Sequence, residues 1–252
     1  MKNILLIITL LFSYCVCKAQ VELPVISADR PGALTGTDIM PRFKLQWETG
    51  MGIEMTDNAT GTLTLNSSLL RFGLFERAEV RLGTDLLLSN IGESTKPGFD
   101  FAPIDVGLKA NLIEGSGIIP SVAFLAEMST PHCGMKEPIS DHLAPSFHLL
   151  FENTLSDRLC LGYNIGTEWD GGTATPTTFL GLGVYYDISD SVGSFVEAYN
   201  YLHPEEDNQY LTEFGFTWLL SRRVQLDIAA DLDLQAPGKY YVISFGLAWL
   251  IN

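Results

Sequence analysis

The chain has 252 residues and a formal net charge of −15, with no basic stripe, which makes it a poor partner for nucleic acid. No apolar run approaches the eighteen residues of a membrane-spanning helix, and of four cysteines only Cys133 and Cys160 lie outside the N-terminal apolar segment, too few for a disulfide scaffold.

Residues 1–19 read as a cleavable secretory signal. A short basic start, Met1-Lys2-Asn3, leads into the apolar run from Ile4 to Phe12, and the small residues Cys17 and Ala19 stand at −3 and −1 of a cut after Ala19. Neither Cys15 nor Cys17 follows the small residue expected before an acylated cysteine. Cleavage would leave 252 − 19 = 233 residues and, without Lys2 and Lys18, a charge of −17. That length suits one large barrel. Cys133 and Cys160 would remain, as a single bridge or as two free thiols.

A Pro/Gly-rich lead-in to residue 41 precedes the first clean period-2 run, where Phe43, Leu45, Trp47, Thr49, Met51 and Ile53 oppose Lys44, Gln46, Glu48, Gly50, Gly52 and Glu54. Equally clear alternation covers 78–88, 104–112, 159–166, 224–234 and 239–251. Weaker runs fill 62–74, 120–129, 144–152, 178–186, 192–201 and 210–219. The sum is twelve strands. Alternate joints are short, as at Phe75-Glu76-Arg77, Leu155-Ser156-Asp157-Arg158, Ile188-Ser189-Asp190-Ser191 and Leu220-Ser221-Arg222-Arg223. The intervening joints are mostly longer, such as 89–101 and 130–143.

A soluble sandwich has no reason to sort loop length by parity, whereas a membrane barrel has short periplasmic turns and long outer loops. In hydrocarbon every backbone polar group needs a partner, so a sheet spans only when closed. The predicted fold is therefore all-β: a single antiparallel transmembrane β-barrel of about twelve strands over 42–252, with 20–41 as a lead-in or lumen plug. Membrane lipid is its surrounding partner and the outer membrane its location. In the last run Tyr241, Ile243, Phe245, Leu247, Trp249 and Ile251 form a greasy, lipid-facing side. Ser244, Gly246 and Ala248 on the other side mark where the lumen could be open. Trp47, Tyr163, Trp169, Tyr186, Trp218, Tyr241 and Trp249 could form interfacial girdles.

Three segments carry a family likeness: Ala28-Asp29-Arg30-Pro31-Gly32, Gln46-Trp47-Glu48-Thr49-Gly50, and the hairpin Leu70-Arg71-Phe72-Gly73-Leu74-Phe75-Glu76-Arg77-Ala78-Glu79-Val80-Arg81-Leu82-Gly83. Asp105-Val106-Gly107-Leu108-Lys109 and Pro120-Ser121-Val122-Ala123 continue it. The chain resembles the outer-membrane transporters named for the meta-pathway of phenol degradation. The resemblance implies a barrel that passes small molecules, hydrophobic ones among them, and no catalytic residues. Outer-membrane barrels commonly end on an aromatic residue, read by the barrel-assembly machinery. This chain ends Trp249-Leu250-Ile251-Asn252, with Phe245 and Trp249 as its nearby aromatics.

The candidate lumen-facing residues are Glu48, Glu54, Arg71, Glu79, Arg81, Asp85, Lys109, Asp227, Asp231 and Asp233. They suit either a charge-selective passage or an internal ion-pair network, with Arg71 and Arg81 bridging Glu48 and Glu79, because buried charges need partners. Asp227, Asp231 and Asp233 share a face with no basic residue between them, which suggests a wet, solute-facing or loop-proximal role. Asp29 and Arg30 are plug candidates, the arginine meeting the acidic wall; the alternative is a periplasmic tail ordered by one turn.

His132, His142 and His148 lie near Ser140, Asp141 and Cys133 in sequence, but meet neither the geometry of acyl transfer nor metal-ligand spacing. No catalytic site, metal or cofactor is expected. The leading function is a passive, selective channel for small solutes, gated by 89–101 and 130–143. An outer-membrane hydrolase and a non-conducting structural or adhesive barrel are the rivals.

Overall fold

A computed structural model describes residues 25–56, 60–91, 98–131 and 142–251. The signal segment, His132, Cys133, Ser140 and Asp141 lie outside the described residues, as does most of the 130–143 connection.

The strands are β1 (Leu45–Thr56), β2 (Gly61–Phe75), β3 (Ala78–Ile91), β4 (Gly98–Phe101), β5 (Asp105–Ile113), β6 (Ser121–Ser129), β7 (Ala144–Ser156), β8 (Leu159–Glu168), β9 (Thr177–Ser189), β10 (Val192–Leu202), β11 (Gln209–Ser221), β12 (Val224–Asp233) and β13 (Tyr240–Leu250). Neighbours pair antiparallel, and β1 bonds both β2 and β13, so the sheet closes. Closure leaves no edge whose backbone groups would face hydrocarbon.

Thirteen strands occupy twelve positions. On one side of β3, β5 pairs with Ala78 to Gly83, and β4 pairs with Leu86 to Ser89. The two share one stave, interrupted around Pro103, which has no amide hydrogen for a ladder. The predicted 89–101 loop is thus too long, because Gly98–Phe101 belongs to the wall.

The pattern of exposure is inverted relative to a soluble barrel. Leu82, Leu108, Leu182, Val196, Phe214 and Phe245 stand exposed on the outside, while Glu48, Arg71, Glu79 and Lys109 are buried inside. Trp47 and Trp249 are register partners near the ends of β1 and β13, and Trp218 lies near the end of β11. This places a group of indoles near the end that carries the tight turns, as an interfacial girdle requires.

At that end two residues suffice to join β2–β3, β7–β8, β9–β10 and β11–β12. The β5–β6 joint is longer and turns through Gly117 at φ 63°. At the opposite end the β8–β9 loop is shaped by Asp170, whose Oδ1 accepts from the amides of Gly172 and Thr173 at 2.9 Å each. Those amide donors hold its carboxyl below the ordinary value.

Candidate functional site

Residues 25–41 precede β1 and form no regular element, yet they run through the interior of the barrel. Side chains from eight strands hold them there. The Ser27 hydroxyl donates to Asp38 at 2.7 Å, tying the segment's two arms together.

The hairpin β2–β3 and strand β1 supply the charged seat. Arg71 lies 2.9 Å from Glu79 and 3.1 Å from Glu48, and donates to the carbonyls of Ser27 and Asp38 at 3.0 Å each. Asp29 descends into this group. It pairs with Arg71 at 3.4 Å, with Lys109 at 3.2 Å, and in close contact with Arg81. Arg81 also reaches Glu127 at 3.1 Å. Glu48 accepts from the amides of Asp29 (3.3 Å) and Arg30 (3.0 Å), and Glu79 from that of Met40 (2.7 Å).

Glu48, Arg71, Glu79 and Lys109 have side chains with no exposure. Within the barrel wall they have three cationic neighbours for three carboxylates, counting Arg81 and Glu127, and Asp29 adds a fourth acid at the centre. Such buried charges are tolerable only because each is paired and hydrogen-bonded.

Asp227 has no basic residue beside it on its own face of β12. Its partner comes from far along the chain: Arg30 meets it at 3.1 Å. The path of that arginine explains two glycines. Gly50, Gly246 and Asp227 stand side by side across β1, β13 and β12. A Cβ at Gly246 would come within 2.2 Å of Arg30 Nε, and one at Gly50 within 2.4 Å of its guanidinium. Ala248 is fully buried in a cluster with Ile26, Met40 and Leu250. The small inner side of the last strand therefore does not mark open lumen. It is the bed on which the N-terminal segment lies.

The far wall also grips the segment's backbone, through carboxylates and an amide, but among the described residues it makes no ion pair with it. Glu197 accepts from the amides of Ala33 (2.8 Å) and Leu34 (3.1 Å) and from the Tyr185 hydroxyl (2.6 Å). Glu152 accepts from the amide of Thr37 at 2.8 Å and from its hydroxyl. Asn164 donates to the Thr35 carbonyl at 3.1 Å, while on the seam side Gln225 of β12 donates to that of Arg30 at 3.2 Å. Gly32 has φ 120°, and a Cβ there would sit 2.7 Å from Glu197, so only glycine fits this turn.

Asp231 accepts from the Tyr199 hydroxyl. Above the turn, Leu34 packs against Phe179, Tyr199 and Leu211, with Tyr201 and Tyr240 around them. Aromatic contacts continue from Phe179 to His148 at 5.7 Å and from Tyr201 to His203 at 6.5 Å.

The other expected residues lie at the margins of these groups or outside them, Asp85 within electrostatic reach of Arg30. Glu54 is exposed near the long-loop end of β1, and Asp85 stands opposite Ser67 on β2. Asp233 ends β12 and accepts from the amides of Gln235 (2.7 Å) and Ala236 (3.2 Å), which makes it a turn former. His148 pairs with Glu168 at 3.2 Å, and His142 is exposed. Cys160 is a free thiol in β8.

Sequence reasoning missed Glu152, Glu197 and Glu213. On β10, Glu197 alternates with Phe195 and Tyr199, so its face reads as the greasy one; its in-register partner Glu213 sits between Leu211 and Gly215. Alternation finds a face but assumes that the polar side is the inner one.

Space remains beside the segment on the far wall. Clefts of about 550 and 440 Å³ open near the β7–β8 and β9–β10 turns, sharing Ile26, Asp157, Arg158, Asp187 and Gln225. A deeper one of about 160 Å³ continues between the segment and Glu152, Tyr185 and Phe195.

A closed twelve-stave sheet with a charged interior and a greasy exterior defines a transmembrane β-barrel. The model of the family described as "Putative MetA-pathway of phenol degradation" matches residues 28–251, and the chain belongs to that family. The match takes in Asp29 and Arg30 as well as all thirteen strands.

Among solved structures, the COG4313 outer membrane channel from Pseudomonas putida F1 is similar with a TM-score of 0.66 and 11% identity, over 88% of this chain and 99% of that one. The KdgM porin is similar at 0.56 and 7%, over 81% and 99%. A deletion mutant of TodX, a monoaromatic hydrocarbon channel, gives 0.50 and 8%, over 84% and 91%. No curated protein matches the sequence.

Proposed function

We propose that the protein is an outer-membrane channel for the passive, selective entry of small molecules, hydrophobic and aromatic ones included, and that residues 25–41 act as a plug that restricts the lumen. Barrels of eight strands are filled by their own side chains and those of sixteen or more hold an aqueous pore, so a twelve-strand bore has room for one inserted segment and little more.

The observation that carries this reading is the seating of residues 27–40, which bond to side chains of eight strands across the lumen. A freely open, water-filled pore for large polar solutes does not fit a segment held in this way. The aromatic group around Leu34 suits a small apolar or aromatic solute arriving from the long-loop side. The names of the COG4313 and TodX channels support the same class of passenger.

Conductance in planar bilayers tests the reading. The mature chain should give small, infrequent openings, and deletion of residues 20–39 should raise the conductance several-fold. A folded barrel that stays silent after the deletion would overturn the channel assignment. Vesicles carrying the mature protein should take up phenol-sized aromatics faster than sugars of equal mass, which tests the passenger separately.

A further inference from the structure

Outside the lumen, the rim at the tight-turn end carries its charge unevenly. Arg42 and Lys44 precede β1, Arg77 lies in the β2–β3 turn, and Arg222 and Arg223 form the β11–β12 turn. These five bases sit on neighbouring staves around the seam where β1 meets β13. The opposite rim carries Asp157, Asp187 and Asp190 against the single base Arg158.

Within the basic sector a cleft of about 400 Å³ is lined by Arg42, Phe75, Glu76 and Arg77. Phe75 is 60% exposed, as is Phe43, and the Arg42 guanidinium stacks 4.5 Å above the Phe43 ring. Phe43 has φ 60°, held by bonds from its amide to Gly73 and from Lys44 to Pro41. The backbone thus spends an unfavourable conformation to turn this ring outward beside the arginine. Arg42 makes no ion pair among the described residues. Arg77 meets Glu114 at 2.9 Å, but both side chains are more than half exposed, so that pair is weak and easily exchanged.

From this arrangement we infer a binding site for the phosphodiester headgroup of a glycerophospholipid of the periplasmic leaflet. The phosphate sits between the guanidiniums of Arg42 and Arg77, and the acyl chains lie over Phe43 and Phe75. Two arginines and one carboxylate leave the cleft with a net charge of +1, the complement of a phosphodiester. Arginine suits this task because its planar fork bonds phosphate through two N–H groups. Rings below and cations above are what the boundary between hydrocarbon and headgroup selects. The occupant is a lipid and not a free anion because exposed Phe75 lines the cleft and exposed Phe43 lies under Arg42 beside it.

The inference rests on the barrel lying in the outer membrane, and lipid retention is read without any conduction, so failure of the channel reading leaves it standing. The test uses the full mature chain in detergent, with phosphatidylglycerol, diacylglycerol of the same chains, and inorganic phosphate each added and retained adducts read by native mass spectrometry. The wild type should retain phosphatidylglycerol and neither of the other two.

Arg42→Gln with Arg77→Gln removes two charge-assisted contacts and should cut retention by about tenfold or more. Glu76→Gln should raise retention, a change of sign that a purely structural role would not produce. Arg158→Gln, on the acidic rim, should leave it unchanged. If the double variant fails to show heat-modifiable migration, Arg42→Lys keeps the charge but loses the fork and should give a smaller loss. Equal retention of phosphatidylglycerol and diacylglycerol, or equal losses in Arg158→Gln and the arginine pair, would overturn the site, as would binding of inorganic phosphate alone.

Discussion

The two walls of the lumen hold the same segment by different physics. Along β1–β5 and β12, the wall supplies charges that need the segment: Arg71, Arg81 and Lys109 converge on Asp29, and Asp227 waits for Arg30. Along β7–β10 the wall supplies acceptors and a donor for backbone groups, and leaves space beside them. Removing a charge from the first wall strands its partners in a dry place. Removing an acceptor from the second leaves groups close to a cleft where water can substitute. The seam side is therefore the anchor, and the far side is where a passage would widen.

Substitutions on each side can break or sharpen this comparison. Asp29→Ala should have the largest effect, about 3–5 kcal/mol, because it leaves three buried cations without their shared carboxylate. Denaturant unfolding in lipid vesicles reads the loss, and single-channel recording should show longer openings.

Gly246→Val pushes a side chain into the path of Arg30 and should cost about 1–3 kcal/mol through overpacking. It should also behave like Asp227→Asn, since both separate the same ion pair. Thr37→Ala on the far wall removes one hydroxyl bond to Glu152 and should cost only about 1 kcal/mol. A Thr37→Ala effect equal to that of Asp29→Ala would dissolve the distinction between the walls.

Much of this was open to reading from the residues. Arg81, Glu48 and Glu79 alternate with greasy neighbours on strongly patterned strands, and Arg71 in the weaker 62–74 run joins them through the hairpin, so inward placement and mutual pairing follow from period 2 and the cost of unpaired charge. Glu197 and Glu213 escaped because their inner faces carry phenylalanine, tyrosine and leucine, and an apolar inner face imitates an outer one. The β4 segment escaped because four residues are too few for a period to emerge, and Pro103 hides its continuity with β5.

The sequence by itself determined the closed twelve-stave sheet, since alternation, loop parity and the need to satisfy every backbone group in hydrocarbon leave no other spanning form. Tertiary structure alone decided what fills it. Residues 25–41 have no period, and nothing local says that Arg30 must find Asp227 197 positions away or that Gly50 and Gly246 are small for its sake. Those relations exist only once closure brings β1, β12 and β13 side by side, because register sets which side chains become neighbours and the segment settles where they leave charge and room.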